Sequence, residues 1–317
     1  MQTQGLLVLN KPTGLRSTHC VDIVRRAMLA AGSDIKVGHG GTLDSSASGV
    51  LVLLTGRATR LSSLVMQMPK AYDVTVRLGE ETTTCDYTGE VTAVGDRSRI
   101  HAHEVESILP SFLGWRMQVP PEISAVHVDG KRAHRIKRGG GVPVIGARPV
   151  FIRRIVMTSQ PSPGGTFDLS ISCGKGTYVR SIVRDMGRSL GCGAHVAALR
   201  RSEIGPFTLE RAFEATRLSV VDDLRSLADE VIRFIAPLEE ITAFLPSYTI
   251  HEDDARLLSG LPVPLSSASR RTFGRFCEEN AVCVVSKRAL TVARIEDHRG
   301  LLSLVPSVNI LKDEVTA

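Results

Sequence analysis

The sequence predicts an α+β protein: a catalytic domain on a mixed, mainly antiparallel sheet with flanking helices, then a small C-terminal β-barrel module. Three observations lead there. Tyr72, Val74, Val76 and Leu78, and again Phe167, Leu169, Ile171 and Cys173, alternate with polar residues, the pattern of strands buried on one face. Helical-period segments are mixed among such strands. Pro237 and Pro246 bracket a linker, and the remainder, about Leu245 to Ile310, is a short helix among short strands, small enough for a compact barrel. The expected division is 1–240 and 245–311.

Gly5 to Asn10 is an apolar strand that Lys11-Pro12-Thr13-Gly14 breaks. Ser17 or Thr18 is placed to cap a helix carrying Val21, Val24 and Met28. Gly38 to Asp44 is a glycine-rich loop leading to an apolar strand, Gly49 to Thr55. Glu104 to Leu113 reads as a helix with Val105, Ile108, Leu109 and Phe112 on its apolar stripe, and Pro120-Pro121 ends the next strand. His127 to Arg148 is basic and glycine-rich, so a long loop or hairpin of low packing potential is expected. After Gly174-Lys175-Gly176 a helix presents Val179, Val183, Met186 and Leu190. Strand character returns at Gly193 to Leu209. Leu218 to Phe234 and His251 to Leu258 read as helices.

Composition narrows the class. The chain has 317 residues, 43% of them hydrophobic and 23% charged, ordinary for a globular protein. Its formal net charge of +6 permits a polyanionic partner. No apolar run approaches the ~20 residues of a membrane span. Met1 to Gly5 lacks the features of a secretory signal, so the cytoplasm is the expected location. Cys20, Cys85, Cys173, Cys192, Cys277 and Cys283 form no C-x-x-C pair, which points to reduced, mostly buried thiols and to no metal site.

Two segments carry chemistry. In Gly38-His39-Gly40-Gly41-Thr42-Leu43-Asp44 three glycines let backbone approach a ligand, and an acid stands at the mouth of a strand. A plain turn with a capping Asp has the same composition. In Gly174-Lys175-Gly176-Thr177-Tyr178-Val179-Arg180 a phosphate loop is excluded, because Gly176 stands where Ser or Thr must follow the lysine. Thr177, Tyr178 and Arg180 instead open a helix. Aromatics make up only 4% of the chain, yet Tyr72 and Tyr178 lie beside these motifs, where an extruded base needs a flat partner. Packing with Val74 and Val76 explains Tyr72 equally well.

Together these segments resemble the bacterial tRNA pseudouridine synthase B family from Gly5 to about Val308. Leu9-Asn10-Lys11-Pro12-Thr13-Gly14 is similar to the family's opening motif, and Gly38 to Gly49 to its catalytic loop. Lys70-Ala71-Tyr72 is similar to the segment with its active-site tyrosine. Gln118 to Val126 resembles the stretch entering an RNA-gripping thumb, here about 120–148, and Gly174 to Arg180 resembles the helix opening that supplies an arginine. The C-terminal piece resembles, more weakly, the RNA-binding PUA barrel.

The resemblance implies isomerisation of uridine 55 in the T-loop of tRNA to pseudouridine, with the base flipped and with neither cofactor nor metal. Asp44 would be the nucleophile, attacking C1′ or C6. Arg180 would keep it ionised through a bidentate fork, and Tyr72 would stack on the uracil near C5. His39 would fill the space left by the flipped nucleotide, and Lys11 would shape the pocket floor. Tyr178, Lys175 and the thumb's Lys137 and Arg138 would bind RNA. The implied partner is the tRNA T-arm, with no membrane and no obligatory protein partner. Gly40, Ser45, Ser46 and Ser48 depart from the family's usual Thr, Pro, Leu and Thr, and Arg16 from a small polar residue. A looser loop is therefore expected, which Ser45→Pro and Gly40→Thr would stiffen. Two alternatives are a guide-RNA-dependent rRNA relative and a non-catalytic RNA-binding protein.

Overall fold

The structure is a computed structural model and describes residues 3–311 apart from 125, 129, 219–222, 239, 241–244, 246, 251–253, 265–280, 287–288 and 299–300. The chain begins with β1 (Gly5–Lys11), α1 (Ser17–Ala30), β2 (Val37–His39), β3 (Ser48–Thr55), α2 (Ser62–Gln67) and β4 (Lys70–Leu78). A small hairpin, β5 (Glu80–Thr82) and β6 (Val91–Val94), precedes α3 (Ala102–Ile108) and β7 (Gly114–Gln118). Then come β8 (His127–Val128), β9 (Lys131–Arg132), α4 (Ala133–Arg138), β10 (Arg148–Met157), β11 (Thr166–Cys173), α5 (Val179–Ser189) and β12 (Ala194–Ile204). β13 (Phe213–Glu214), α6 (Leu224–Ile232) and β14 (Ile235–Ala236) complete the first part. The second holds β15 (Ser247–Thr249), α7 (Asp254–Leu258), β16 (Val263–Pro264), β17 (Ala281–Val285), β18 (Ala289–His298) and β19 (Leu301–Leu311).

The first part is one ten-stranded sheet in the order β13-β1-β3-β12-β4-β11-β10-β7, with β14 also on β1 and β2 on β3. Its β1–β13 and β3–β12 pairs are parallel and the others antiparallel, the mixed sheet that the alternating strands predict. β12 touches β3 only at Arg200↔Ser48 and Arg201↔Gly49. The sheet therefore splays open between β3 and the first half of β12, where Asp86 bridges to Val196.

Burial assigns the two faces. Leu7, Leu9, Leu51 and Leu53 lie under α1 and α6, and Tyr72, Val74, Val76, Phe167 and Leu169 lie under α3 and α5. Two helical layers thus share one face and leave a gap between them. On the other face Leu6, Val50 and Val52 pack with Val65 of α2 and with Cys283, Leu290 and Val292 of the C-terminal sheet. That sheet runs β15-β17-β18-β19-β16 and has its own core around Leu257, Val282, Val284 and Leu304.

Several expectations need correction. Ser17 does not cap α1; Arg16 holds the cap position without a side-chain bond, and Ser17 turns inward to the loop that bears Asp44. The helix expected over Glu104 to Leu113 starts earlier, capped by His101 and Glu104, and tightens to 3₁₀ at Leu109–Phe112. Within His127 to Arg148 the chain forms the β8–β9 hairpin and α4, anchored by buried Val126 and Ala133. The strand from Gly193 ends at Ile204, and the helix before Phe234 is α6, capped by Asp223. The helix expected from His251 is seen at Asp254–Leu258, residues 251–253 lying outside the described residues. The five described cysteines are buried and form no disulfide among the described residues; Cys277 lies outside the described residues. Among the described residues no helix is long and apolar enough to cross a membrane.

Candidate active site

Register brings four positions into one row across the sheet: Lys11↔Gly49, Gly49↔Arg201 and Arg201↔Tyr72. Cross-strand partners point to the same face, so all four open into the gap between the two helical layers. Gly49 is needed there. Its φ is +106°, and a Cβ would stand 2.2 Å from the Arg201 carbonyl oxygen.

The loop bearing Asp44 lies in that gap and is tied down on both sides of it. The Ser17 hydroxyl accepts from the Leu43 amide at 2.9 Å and donates to the Leu43 carbonyl at 2.8 Å. Arg201 donates through Nη1 to the Thr42 carbonyl (3.0 Å) and through Nε to the Val50 carbonyl (2.8 Å). The Ala47 amide closes a turn onto the Asp44 carbonyl at 3.1 Å, and the Gly14 amide donates to the Ser45 carbonyl at 2.7 Å. Lys11, wholly buried, donates from Nζ to the carbonyls of Ala47 (2.6 Å), Pro12 and Leu15 (2.9 Å each). The Ser46 hydroxyl donates to Asp86 Oδ2 at 2.8 Å. A loop with these bonds is held, contrary to the looseness expected from its glycine and serines.

Asp44 Oδ2 meets Arg180 Nη2 at 2.8 Å. The carboxylate is 44% exposed to the cleft, whereas the Arg180 side chain is only 5% exposed. The contact is made by this one Nη2–Oδ2 pair, and no second hydrogen bond completing the expected fork is present among the described residues. Arg180 also donates to backbone, Nη1 to the Thr84 carbonyl at 2.8 Å and Nη2 to the Ile123 carbonyl at 3.1 Å, while its buried Nε has no partner among the described residues. Those carbonyls belong to the two segments that flank the cleft, so the guanidinium is fixed before any ligand arrives. A nucleophilic carboxylate needs this: a permanent neighbouring cation, and no freedom to swing away.

Tyr72 forms part of the floor. Burial raises its phenol above the usual range, while the charge of the nearby Arg201 guanidinium works in the opposite direction. The ring therefore stays neutral at physiological pH. Tyr178 caps α5 and is clamped by Gln118, whose amide accepts from the Tyr178 N–H (2.9 Å) and donates to its carbonyl (3.1 Å). Burial, and then the charge of Asp44, raise its phenol as well. Burial lowers the Lys11 ammonium to about 8, against the pull of Cys20 and Asp44.

The remaining expected residues lie farther out. His39 ends β2, and its Nδ1 accepts from the Gly41 amide at 3.3 Å. Lys175 is exposed and reaches Gln67 Oε1 at 3.3 Å. Lys137 of α4 pairs with Glu122 at 2.6 Å inside the thumb segment. Arg138 ends the same helix, and its side chain lies outside the described residues.

Sequence reading missed Arg201, Asp86, Gln118 and Ser17. For Arg201 a signal exists: strand alternation puts it on the face of buried Leu199, and an arginine facing a core is rarely idle. Asp86 is buried and accepts from the hydroxyls of Thr84 (2.6 Å) and Thr88 (2.5 Å), the Thr88 amide (3.0 Å) and Ser46. Burial alone would raise its carboxyl, yet these bonds hold it below the usual range.

With this geometry in view, comparison with known proteins is specific. Residues 26–179 match the model of the TruB family pseudouridylate synthase (N terminal domain), and residues 180–243 match the tRNA pseudouridylate synthase B C-terminal domain. The chain is 43% identical to tRNA pseudouridine synthase B of Corynebacterium efficiens over 244 residues, 76% of this chain and 81% of that protein. It is 43% identical to the enzyme of the same name from Dinoroseobacter shibae over 260 residues, 81% of this chain and 82% of that one. Among solved structures, a Cbf5-Nop10-Gar1 complex aligns with a TM-score of 0.66 at 22% identity, covering 98% of this chain and 85% of that chain. An H/ACA RNP bound to a substrate RNA containing 2′-deoxyuridine aligns at 0.65 and 20% identity, covering 98% and 86%. These two likenesses bear on the fold.

Proposed function

Because the chain belongs to the TruB family of pseudouridylate synthases, we propose that it isomerises uridine 55 in the T-loop of tRNA to pseudouridine, with Asp44 as nucleophile. The observation that carries the reading is the 2.8 Å contact between a half-exposed Asp44 and a buried, backbone-anchored Arg180, on a loop bonded on both sides. The reaction breaks the bond between N1 of uracil and C1′, turns the base, and joins C5 to C1′. The C5 proton leaves and N1 gains one, so no redox partner or group donor enters.

Asp44 attacks either C1′ or C6, with the Arg180 guanidinium beside it. Tyr72 stacks on the uracil near C5, and His39 fills the space of the flipped nucleotide, offsetting part of an extrusion cost of a few kcal/mol. Lys11 holds the loop backbone. Tyr178, Lys175, Lys137 and Arg138 contact RNA. Residues 1–240 form the catalytic domain with its thumb at about 120–148, and 245–311 a PUA-like module that grips phosphates. The enzyme acts without a protein partner, in the cytoplasm where its tRNA lies. Identity of 40–43% to enzymes named for tRNA, against 20–22% to the Cbf5-Nop10-Gar1 complex and the H/ACA RNP, favours tRNA over a guide-dependent substrate.

The test is tritium release from C5-labelled uridine in a T-arm hairpin. The reading predicts release with pseudouridine appearing in equal amount. RNA that is bound but keeps its label would leave a binding protein instead.

A further inference from the structure

The outer edge of the large sheet carries an apolar patch that the catalytic reading does not use. β7 is the terminal strand, and its Trp115 is 75% exposed. Across the β7–β10 pair Trp115 faces Phe151, with ring centroids 5.3 Å apart and planes tilted by 52°. Met117 stands exposed on the same face, two residues along. Val150 and Ile152 take the opposite, buried face, so the aromatic pair is not core exposed by accident of register. A long apolar edge strand is a liability that proteins normally blunt or cover.

Charge points to the occupant. Residues 113–121 and 142–159, which build this edge, contain no Asp or Glu; Arg148, Arg153 and Arg154 are exposed on β10, whereas Arg116 turns to the other face and lies over the buried Phe112 ring at 4.3 Å. Flat rings on a strand pair that also carries exposed arginines and no acid match a single-stranded nucleic acid, whose bases stack while its phosphates meet the cations. The patch lies on the face of the sheet opposite the catalytic gap and is tied by backbone to a segment of the site. The Phe151 carbonyl accepts from the Gly174 amide at 2.8 Å, and the loop that Gly174 opens continues to Lys175 and to the Arg180 helix. We propose that Trp115 and Phe151 form a stacking platform for unpaired bases of the substrate RNA other than the nucleotide being isomerised. This rests on the proposed reading that the substrate is RNA and extends its footprint beyond the catalytic cleft.

Trp115 is the chain's one tryptophan, so its emission reports on the platform directly. The experiment titrates the intact protein with a tRNA transcript, follows tryptophan fluorescence, and assays pseudouridine in the same samples. Emission should fall as the complex saturates. By competition binding, Trp115→Leu should bind the transcript about 5- to 150-fold more weakly, the range found on removing a stacked base's aromatic partner, while Trp115→Phe, which keeps a flat ring, loses much less. Unchanged emission in a sample that converts its RNA overturns the platform and leaves the enzymatic reading standing. Absent pseudouridine with quenched emission overturns the enzymatic reading alone. Equal affinity of the Leu and Phe variants overturns stacking. A wild-type dimer that Trp115→Leu dissociates would assign the patch to a second copy, against the proposal.

Discussion

Ser46 and Asp86 are joined by a 2.8 Å hydrogen bond that links the loop of the nucleophile to the wall that anchors its arginine. Asp86 gathers hydroxyls from Thr84 and Thr88 on the other side, and the Thr84 carbonyl in turn accepts from Arg180. Asp44 thus sits in a ring of contacts that closes through Ser46, Asp86, Thr84 and Arg180.

The Asp86 carboxyl lies below its usual value, so its folded-state pKa is depressed. Its contribution to stability is therefore complete above the unfolded value of 3.8 and is lost as pH falls through the lower folded value. Asp86→Asn should cost about 1–3 kcal/mol at neutral pH, because an amide hydrogen replaces an acceptor before buried donors. Urea denaturation of both proteins from pH 7 downward should show the gap constant to about pH 4 and narrowing below it. A gap that widens in acid would contradict the assignment.

Arg180→Lys should fold and slow the chemical step by about 10- to 100-fold, a barrier change of roughly 1.4–2.7 kcal/mol. One ammonium cannot serve Asp44 and the Thr84 and Ile123 carbonyls together with the guanidinium's geometry. Single-turnover rates at saturating tRNA test this, and a rate near wild type would remove Arg180 from its place beside the nucleophile.

Ser45 occupies the second position of the turn closed by Ala47 onto Asp44, where proline is favoured. No hydrogen bond from its amide is present among the described residues, and its carbonyl bond from Gly14 survives substitution. Ser45→Pro should therefore stabilise the protein by about 0.4–1 kcal/mol. Gly40→Thr should do the reverse, contrary to expectation from sequence, since a Cβ at Gly40 would lie 2.3 Å from Val65 Cγ1. Thermal melts of the two variants check both signs.

How far the sequence alone could go depends on whether a feature is local. Alternation at Tyr72 to Leu78 and Phe167 to Cys173 shows in the chain because each strand carries its own period, and those residues are buried. The Asp44 loop and the Arg180 helix were legible as family motifs. The bond between Ser17 and Leu43 and the row Lys11, Gly49, Arg201, Tyr72 were not, because they arise only when strands from distant parts of the chain come into register. Helix α4 was missed because its basic, glycine-bordered sequence has little apolar periodicity; among its described side chains Ala133 is the buried one.

The C-terminal sheet gives a related correction to a simple two-module picture. Cys283, Leu290 and Val292 pack in the same cluster as Leu6, Val50 and Val52 of the large sheet. Truncation after Glu240 should consequently lower the melting temperature as well as RNA affinity, since burial of each such side chain contributes on the order of 1–3 kcal/mol. The chemical step at saturating RNA should persist in any fragment that remains folded. A melting temperature equal to that of the full chain would show that the two sheets do not depend on each other.

The central claim is that Asp44 is the nucleophile, and single-turnover tritium release by Asp44→Asn and Asp44→Ala tests it most directly, with tRNA binding measured on the same preparations. Both variants should bind tRNA and release no label above an enzyme-free control, because the Arg180 cation and the loop's backbone bonds remain while the attacking oxygen is gone or neutral. Label released above that control by either variant, with pseudouridine in the product, would contradict the account.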